Sequence, residues 1–310
     1  MPDMPIPFGD DVSGVSLISG ETAVLKTDML VGGTDVPEGM SLFAAARKAV
    51  VMNISDFAAK GVIPSAIVVA LGLPKVLANE KSVTEIADGL DAGAREYGTY
   101  IIGGDTNETD DLIISLSLFG TTRNALMLRS GAKEGDIVAV TGLFGKPAAG
   151  LRLLAGGYKA ATRIRDALVE AVFNPTARLA EGLALHGYNC VTASMDSSDG
   201  LAWSLHAIGQ LSGVGFVIDT LPIAPEAENF AQANGLNAVD LAFYGGEEYE
   251  LVLTVKPQKW EEAKAVVEAI QGCLIPIGRV TLADKQVVLE LGDARRVLEA
   301  KGWEHFKRPF

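Results

Sequence analysis

Cysteine is nearly absent: Cys190 and Cys273 are the only two in 310 residues, with no CxxC pair and no disulfide framework. Both read as small buried hydrophobes rather than catalytic thiols. The three histidines, His186, His206 and His305, are scattered and offer no zinc spacing. No apolar run approaches the roughly 18 residues of a membrane span; AIVVALGLP at 66–74 is strand-sized and closes on proline. The N-terminal MPDMPIPFGDD carries neither a basic n-region nor an apolar h-region, so no signal peptide and a cytoplasmic location are expected. Basic residues are outnumbered 26 to 39, giving a net charge of −13, and are not clustered, which argues against nucleic acid as a partner. A Walker loop is missing, since Gly145-Lys146-Pro147 lacks both the hydroxyl and the spacing, and kinase signatures of the HRD and DFG type are missing too. A nucleotide enzyme made from this chain must use some other fold.

What is present is a packed globular chain, 48% hydrophobic and 21% charged, long enough for about two domains. Alternating stretches at 15–18 and 23–27, joined across Ser19-Gly20-Glu21, predict a hairpin. Ser41 opens a helix with apolar or small residues at Leu42, Ala46, Val50, Ile54 and Phe57, stopped by Gly61 and Pro64. Strands at 66–71, 100–102 and 112–119 around a helix at 80–97 complete a first α/β unit over 1–123, with 124–135 as linker. The unit over 124–310 repeats the alternation: strands at 137–141, 191–193, 215–218 and 249–255, helices around 148–154, 175–185, 201–211 and 258–270, and a strand pair near Leu274 and Val287.

Aspartate recurs at or just past the ends of apolar segments, beside Gly, Ser, Thr or Asn: Asp10 and Asp11 in FGDD, Asp28 in LKTD, Asp56 in NISD, Asp105 in IGGD, and Asp196 and Asp199 in MDSSD. One such residue is usually a turn or a helix cap. The whole set is harder to explain that way. Asp56 and Asn53 share one face of a helix otherwise filled with Ala, Val, Met, Ile and Phe, and burying them without partners costs roughly 2–7 kcal/mol each. Carboxylates converging to about 4 Å repel by roughly 4 kcal/mol at an effective dielectric of 20. With few Lys or Arg near them in sequence, an oxygen-loving divalent cation, Mg²⁺ or Ca²⁺, is the expected counter-charge. The glycine pairs Gly103-Gly104 and Gly142/Gly145 suit either ordinary turns or backbone approach to a phosphate.

Nine short motifs in order then resemble the thiamine-monophosphate kinase family, within the superfamily of aminoimidazole ribonucleotide synthetase. They are GDD at 9–11, KTDMLV at 26–31, NISDFAAKG at 53–61, IIGGDTN at 101–107, RSGAKEGD at 129–136, VTG at 140–142, MDSSDGLA at 195–202, YGGEEYEL at 244–251 and GWEHF at 302–306. The resemblance implies a two-domain α/β fold of mixed α+β type, a homodimer whose N-terminal sheets pair into a barrel, and transfer of the ATP γ-phosphate to thiamine monophosphate with several Mg²⁺ ions. It implies metal ligands at Asp11, Thr27, Asp28, Asp56, Asp105, Asp196 and Asp199, of which Asp28, Asp56, Asp105 and Asp196 would be catalytic. It implies nucleotide contacts at Tyr97, Gly104, Asp105, Arg129 and Ser198, and substrate contacts at Asp35, Glu247 and Trp303, the last as a cation–π face for a thiazolium. Lys26, Asp35 and Lys146-Pro147 depart from the commonest family pattern, and TD-x-P-x-GM around Asp35 looks archaeal. The alternatives are another ATP-using enzyme of the superfamily, closer to aminoimidazole ribonucleotide synthetase, or an inactive nucleotide-binding regulator.

Overall fold

A computed structural model describes residues 4–304 and 306; His305 of the last motif lies outside the described residues. The N-terminal hairpin forms as its alternation predicts, with β1 (Ser13–Ser16) antiparallel to β2 (Thr22–Val31) and Ser16 opposite Thr22. A single turn, α1 (Gly32–Asp35), leads to α2 (Leu42–Lys60). The Ser41 hydroxyl caps α2 by accepting from the Ala44 N–H at 3.1 Å, and Gly61 ends it at φ 67°, a left-handed conformation that favours glycine. Then follow β3 (Pro64–Leu73), α3 (Glu80–Glu96), β4 (Ile101–Glu108) and β5 (Ile113–Thr122). The five strands lie in the order β1-β2-β5-β3-β4, antiparallel except for the β3–β4 pair, whose crossover is α3.

Strand alternation gives this sheet two unlike faces. Val24 and Leu30 of β2, Ile67 and Val69 of β3, and Leu116 and Leu118 of β5 are buried on the face toward α2. Leu25, Met29, Val68 and Phe119 are exposed on the other.

The remaining chain supplies β6 (Ile137–Val140), α4 (Lys146–Leu154), α5 (Thr162–Phe173), α6 (Leu179–Gly187), β7 (Val191–Asp196), α7 (Leu201–Ser212) and β8 (Gly215–Ile218). After these come α8 (Pro225–Asn234), α9 (Ala238–Tyr244), β9 (Leu251–Val255), α10 (Trp260–Ala269), β10 (Ile275–Thr281), β11 (Val287–Leu291) and β12 (Ala294–Val297). Its seven strands run β12-β11-β8-β10-β6-β9-β7. One buried cluster crosses between the halves, joining Ile54 and Phe57 of α2 to Leu116 of the first sheet and Leu251 and Leu253 of the second. Among the described residues no helix is long and apolar enough to cross a membrane.

Several local expectations change. Helices α5, α8 and α9 have no counterpart in the sequence reading; each has charged or polar residues interrupting its apolar stripe. The strands near Leu274 and Val287 do not pair with each other, because β8 lies between them. Cys190 is buried, but Cys273 is exposed in the turn before β10. Gly103 and Gly104 sit inside β4 rather than in a turn. A Cβ at Gly104 would come within 2.0 Å of the Val69 carbonyl oxygen, so the glycine serves close strand packing.

Candidate functional site

Asp56 projects from α2 four residues before its C-terminal Lys60, not from a cap, and the chain converges on it. One carboxylate oxygen from each of Asp11, Asp56 and Asp196 lies within 4.8 Å of the others, and all three residues are buried. Asp11 comes from the segment before β1, and Asp196 ends β7. The Ser55 hydroxyl, next to Asp56 on α2, donates to Asp196 Oδ2 at 2.7 Å and fixes its orientation.

Cations hold this cluster. Lys60, fully buried at the end of α2, spends its ammonium on Asp10 at 2.6 Å, Asp11 at 2.5 Å and the Ser194 carbonyl at 2.8 Å. Arg129 donates through Nε to Asp11 Oδ1 at 2.6 Å and through its backbone N–H to Asp10 at 2.9 Å. Lys26 reaches from the inner face of β2 to Asp56 at 2.9 Å and Asp28 at 3.6 Å. The expectation that few basic groups stand near the carboxylates in sequence is therefore corrected: Lys26 lies two residues from Asp28 and Lys60 four from Asp56, and folding adds Arg129. Five carboxylates still face three cations, and the balance shows in their acidities. Burial would raise Asp11, but Lys60 and Arg129 overcome it and hold the group below its usual range. Burial, with the Asp11 charge adding to it, pushes Asp196 up to about 7. Burial drives Asp56 well above the ordinary carboxylate value, against the opposing pull of Lys26.

The donor set fits a hard divalent ion. It is all oxygen, it retains excess negative charge, and two buried oxygens at its margin have no hydrogen-bond partner: Asn53 Oδ1, one turn before Asp56, and Ser197 Oγ, next to Asp196.

A second group forms at the other end of α2. The buried Lys48 ammonium pairs with Glu247 and donates to the Asp35 backbone carbonyl at 3.0 Å. Asp35 uses Oδ2 to accept from the Val31 N–H at 2.7 Å. Glu247 stands at φ 67°, a strained conformation for a residue with a side chain, and its N–H donates to the Ser198 carbonyl at 2.7 Å. Trp303 closes the group: its N–H donates to the Asp199 carbonyl at 2.9 Å, and a Cβ at Gly246 would meet Trp303 Cβ at 3.2 Å. Buried Tyr249 lies between the two groups; burial foremost, then Glu247, Asp196, Asp28 and Asp35, raise its phenol well above the usual value.

The other anticipated residues lie apart. Thr27 faces the outer side of β2, donating to the Leu116 carbonyl at 2.9 Å, and Asp105 with Gly104 lies on exposed edge strand β4. Tyr97 ends α3, and its hydroxyl accepts from the Ala177 N–H at 2.9 Å.

The model of the AIR synthase related protein N-terminal domain family matches residues 9–122. Thiamine-monophosphate kinase of Nitrosopumilus maritimus (strain SCM1) is 36% identical, over 93% of this chain and 90% of its own length. That of Pyrococcus horikoshii (strain ATCC 700860) is also 36% identical, over 97% and 91%. The chain belongs to the thiamine-monophosphate kinase family. In the same family, AaThiL complexed with AMPPCP and TMP superposes with a TM-score of 0.84 at 29% identity, covering 96% of this chain and 92% of that one. This kinase is thus of mixed α/β fold, as its sequence implies. The sequence reading missed Lys48, Lys60 and Ser55, although all three lie on the helix that carries Asp56, the one signal pointing to them. It also missed the half-buried bidentate pair of Arg178 with Glu250 inside YGGEEYEL, at 2.8 and 2.5 Å.

Proposed function

We propose that this chain transfers the γ-phosphoryl group of ATP directly to the phosphate of thiamine monophosphate, giving thiamine diphosphate and ADP. The observation that carries the reading is the pairing on one helix of a buried carboxylate cluster with a separate group suited to an organic cation. Mg²⁺ held by Asp11, Asp56 and Asp196, with Asp28 and Asp199 as further ligands, would neutralise charge on the phosphate oxygens, and Asp105 and Thr27, which lie apart from the trio, would serve further Mg²⁺ ions. Lys60 and Arg129 keep Asp11 ionised and in place, and Ser55 orients Asp196. Arg129, Ser198, Gly104, Asp105 and Tyr97 are the residues we assign to the nucleotide. Glu247 offers a carboxylate and Trp303 an aromatic face to the thiazolium, with Asp35 beside them. The acceptor phosphate is already ionised, so no strong general base is needed, in keeping with a site free of histidine among the described residues.

We assign residues 1–123 to nucleotide binding and dimerisation and 124–310 to closing the cleft. The exposed apolar residues Leu25, Met29, Val68 and Phe119 on the outer face of the first sheet support a second copy of the chain pairing there as a shared barrel. The test of the reaction is purified protein with ATP, Mg²⁺ and thiamine monophosphate, with thiamine diphosphate and ADP followed by chromatography. Stoichiometric product that disappears with EDTA supports the reading. Nucleotide binding without product would redirect it to another phosphate acceptor.

A further inference from the structure

Of the three cations in the carboxylate cluster, Lys26 is placed differently from the other two. Lys60 is fully enclosed and satisfied by two carboxylates and a carbonyl, and Arg129 braces Asp11 from the linker. Among the described residues Lys26 pairs with Asp56 at 2.9 Å and Asp28 at 3.6 Å, two residues assigned above to metal, and its side chain retains 20% exposure. It is also rigidly delivered. Strand β2 pairs along its length with β5, with Lys26 opposite Leu118 and Asp28 opposite Leu116, so lysine and aspartate leave the same face of one strand in fixed register. An ammonium so placed occupies the space where an ion bridging Asp28 and Asp56 would sit, and two cations cannot share it without strong repulsion.

Resting on the metal reading above, we propose that Lys26 is a resident counter-cation that stands in for one divalent ion at the Asp28–Asp56 edge of the site. The chain then binds one ion fewer per site than it would without this lysine, and that edge stays assembled when metal is withdrawn. Lys26 is a positioning residue in this role. Its charge holds Asp28 and Asp56 together before nucleotide or metal arrives.

The test compares wild type, Lys26→Met and Lys26→Arg by two readouts that do not involve turnover. Free Mn²⁺ is followed by electron paramagnetic resonance during titration without nucleotide, and unfolding midpoints are taken in EDTA and in saturating Mg²⁺. Lys26→Met is expected to bind one additional Mn²⁺ per chain and to unfold several degrees lower in EDTA, with Mg²⁺ restoring most of the loss. Lys26→Arg should match wild type in both. Equal Mn²⁺ stoichiometry in wild type and Lys26→Met overturns the proposal while leaving the metal site standing. A Lys26→Met chain that stays unfolded in Mg²⁺ overturns it as well, because an ion at that place should replace what the ammonium supplied. No Mn²⁺ bound by any of the three overturns the metal reading and this one with it.

Discussion

At Asp56 a carboxylate stands on a helix face with almost no water, opposed by the charge of Lys26 and, on the function proposed above, by a bound ion. Asp56→Asn is expected to lower kcat by on the order of 10³ while leaving the thermal midpoint unchanged or higher, since it removes a charge that burial disfavours. Steady-state kinetics with calorimetry on the same preparation checks both halves; near-normal turnover would sink the metal assignment. Trp303→Ala should raise KM for thiamine monophosphate by about tenfold with little change for ATP, the size of a partly desolvated cation–π contact. Equal loss for both substrates would make Trp303 a folding residue. The aspartates were legible because charge inside an apolar pattern needs an explanation. Lys48 and Lys60 were not, because a lysine in a helix is ordinarily a solvated one, and nothing in the sequence announces that α3, α6 and β7 will close around it.

Among the elements, α2 and its close neighbours decide whether the site forms. Gly182 of α6 lies so near α2 that a Cβ there would fall 2.0 Å from the Ala58 carbonyl oxygen, two residues from Lys60. Gly182→Ala should therefore cost about 1–3 kcal/mol by overpacking and weaken metal binding with it; chemical denaturation and Mn²⁺ titration read the two effects, and an unchanged midpoint would mean that α6 yields. The limits of α2 could be read because Ser41 and Gly61 punctuate it. Strand β4 could not, since a Gly-Gly-Asp run looks like a turn until the need for a bare backbone beside Val69 is known. Asp105 thus belongs to an exposed edge, and its distance from the buried trio could not be foreseen from the common pattern of its motif.

For the molecule as a unit, pH and association are the relevant levers. Glu248 is buried and accepts from the Gly145 N–H at the start of α4; burial foremost, with Glu250 adding, pushes its carboxyl from 4.5 up to about 8. A carboxyl that holds its proton more tightly when folded stabilises the fold fully below its unfolded value, and that contribution fades as pH rises from about 4.5 through about 8. Glu248→Gln should flatten the fall of the melting temperature across that window, measured by calorimetry at several pH values; an unchanged slope would assign the pH dependence elsewhere. Met29→Glu, on the exposed face of the first sheet, should shift sedimentation from dimer to monomer at micromolar concentration without unfolding the chain. A species that stays dimeric would move the interface to another surface. The alternation of strands foretold that this sheet has a buried and an unburied side. That a second copy covers the unburied one is implied by the family resemblance and proposed above; alternation alone does not say what lies against it.

Lys48 and Ser55 are seven residues apart on α2, two turns along one face, so a span of about 10.5 Å separates the anchor of the organic-cation group from the anchor of the carboxylate cluster. In the proposed reaction the helix would act as a gauge bar between donor and acceptor. Adding or removing one residue within that span would turn the far end by about 100° and slide it by about 1.5 Å, throwing Ser55, Asp56 and Lys60 out of phase together. On the function proposed above, reach between the two substrates would be set by about two turns of helix, and variation there would come from side chains rather than from length.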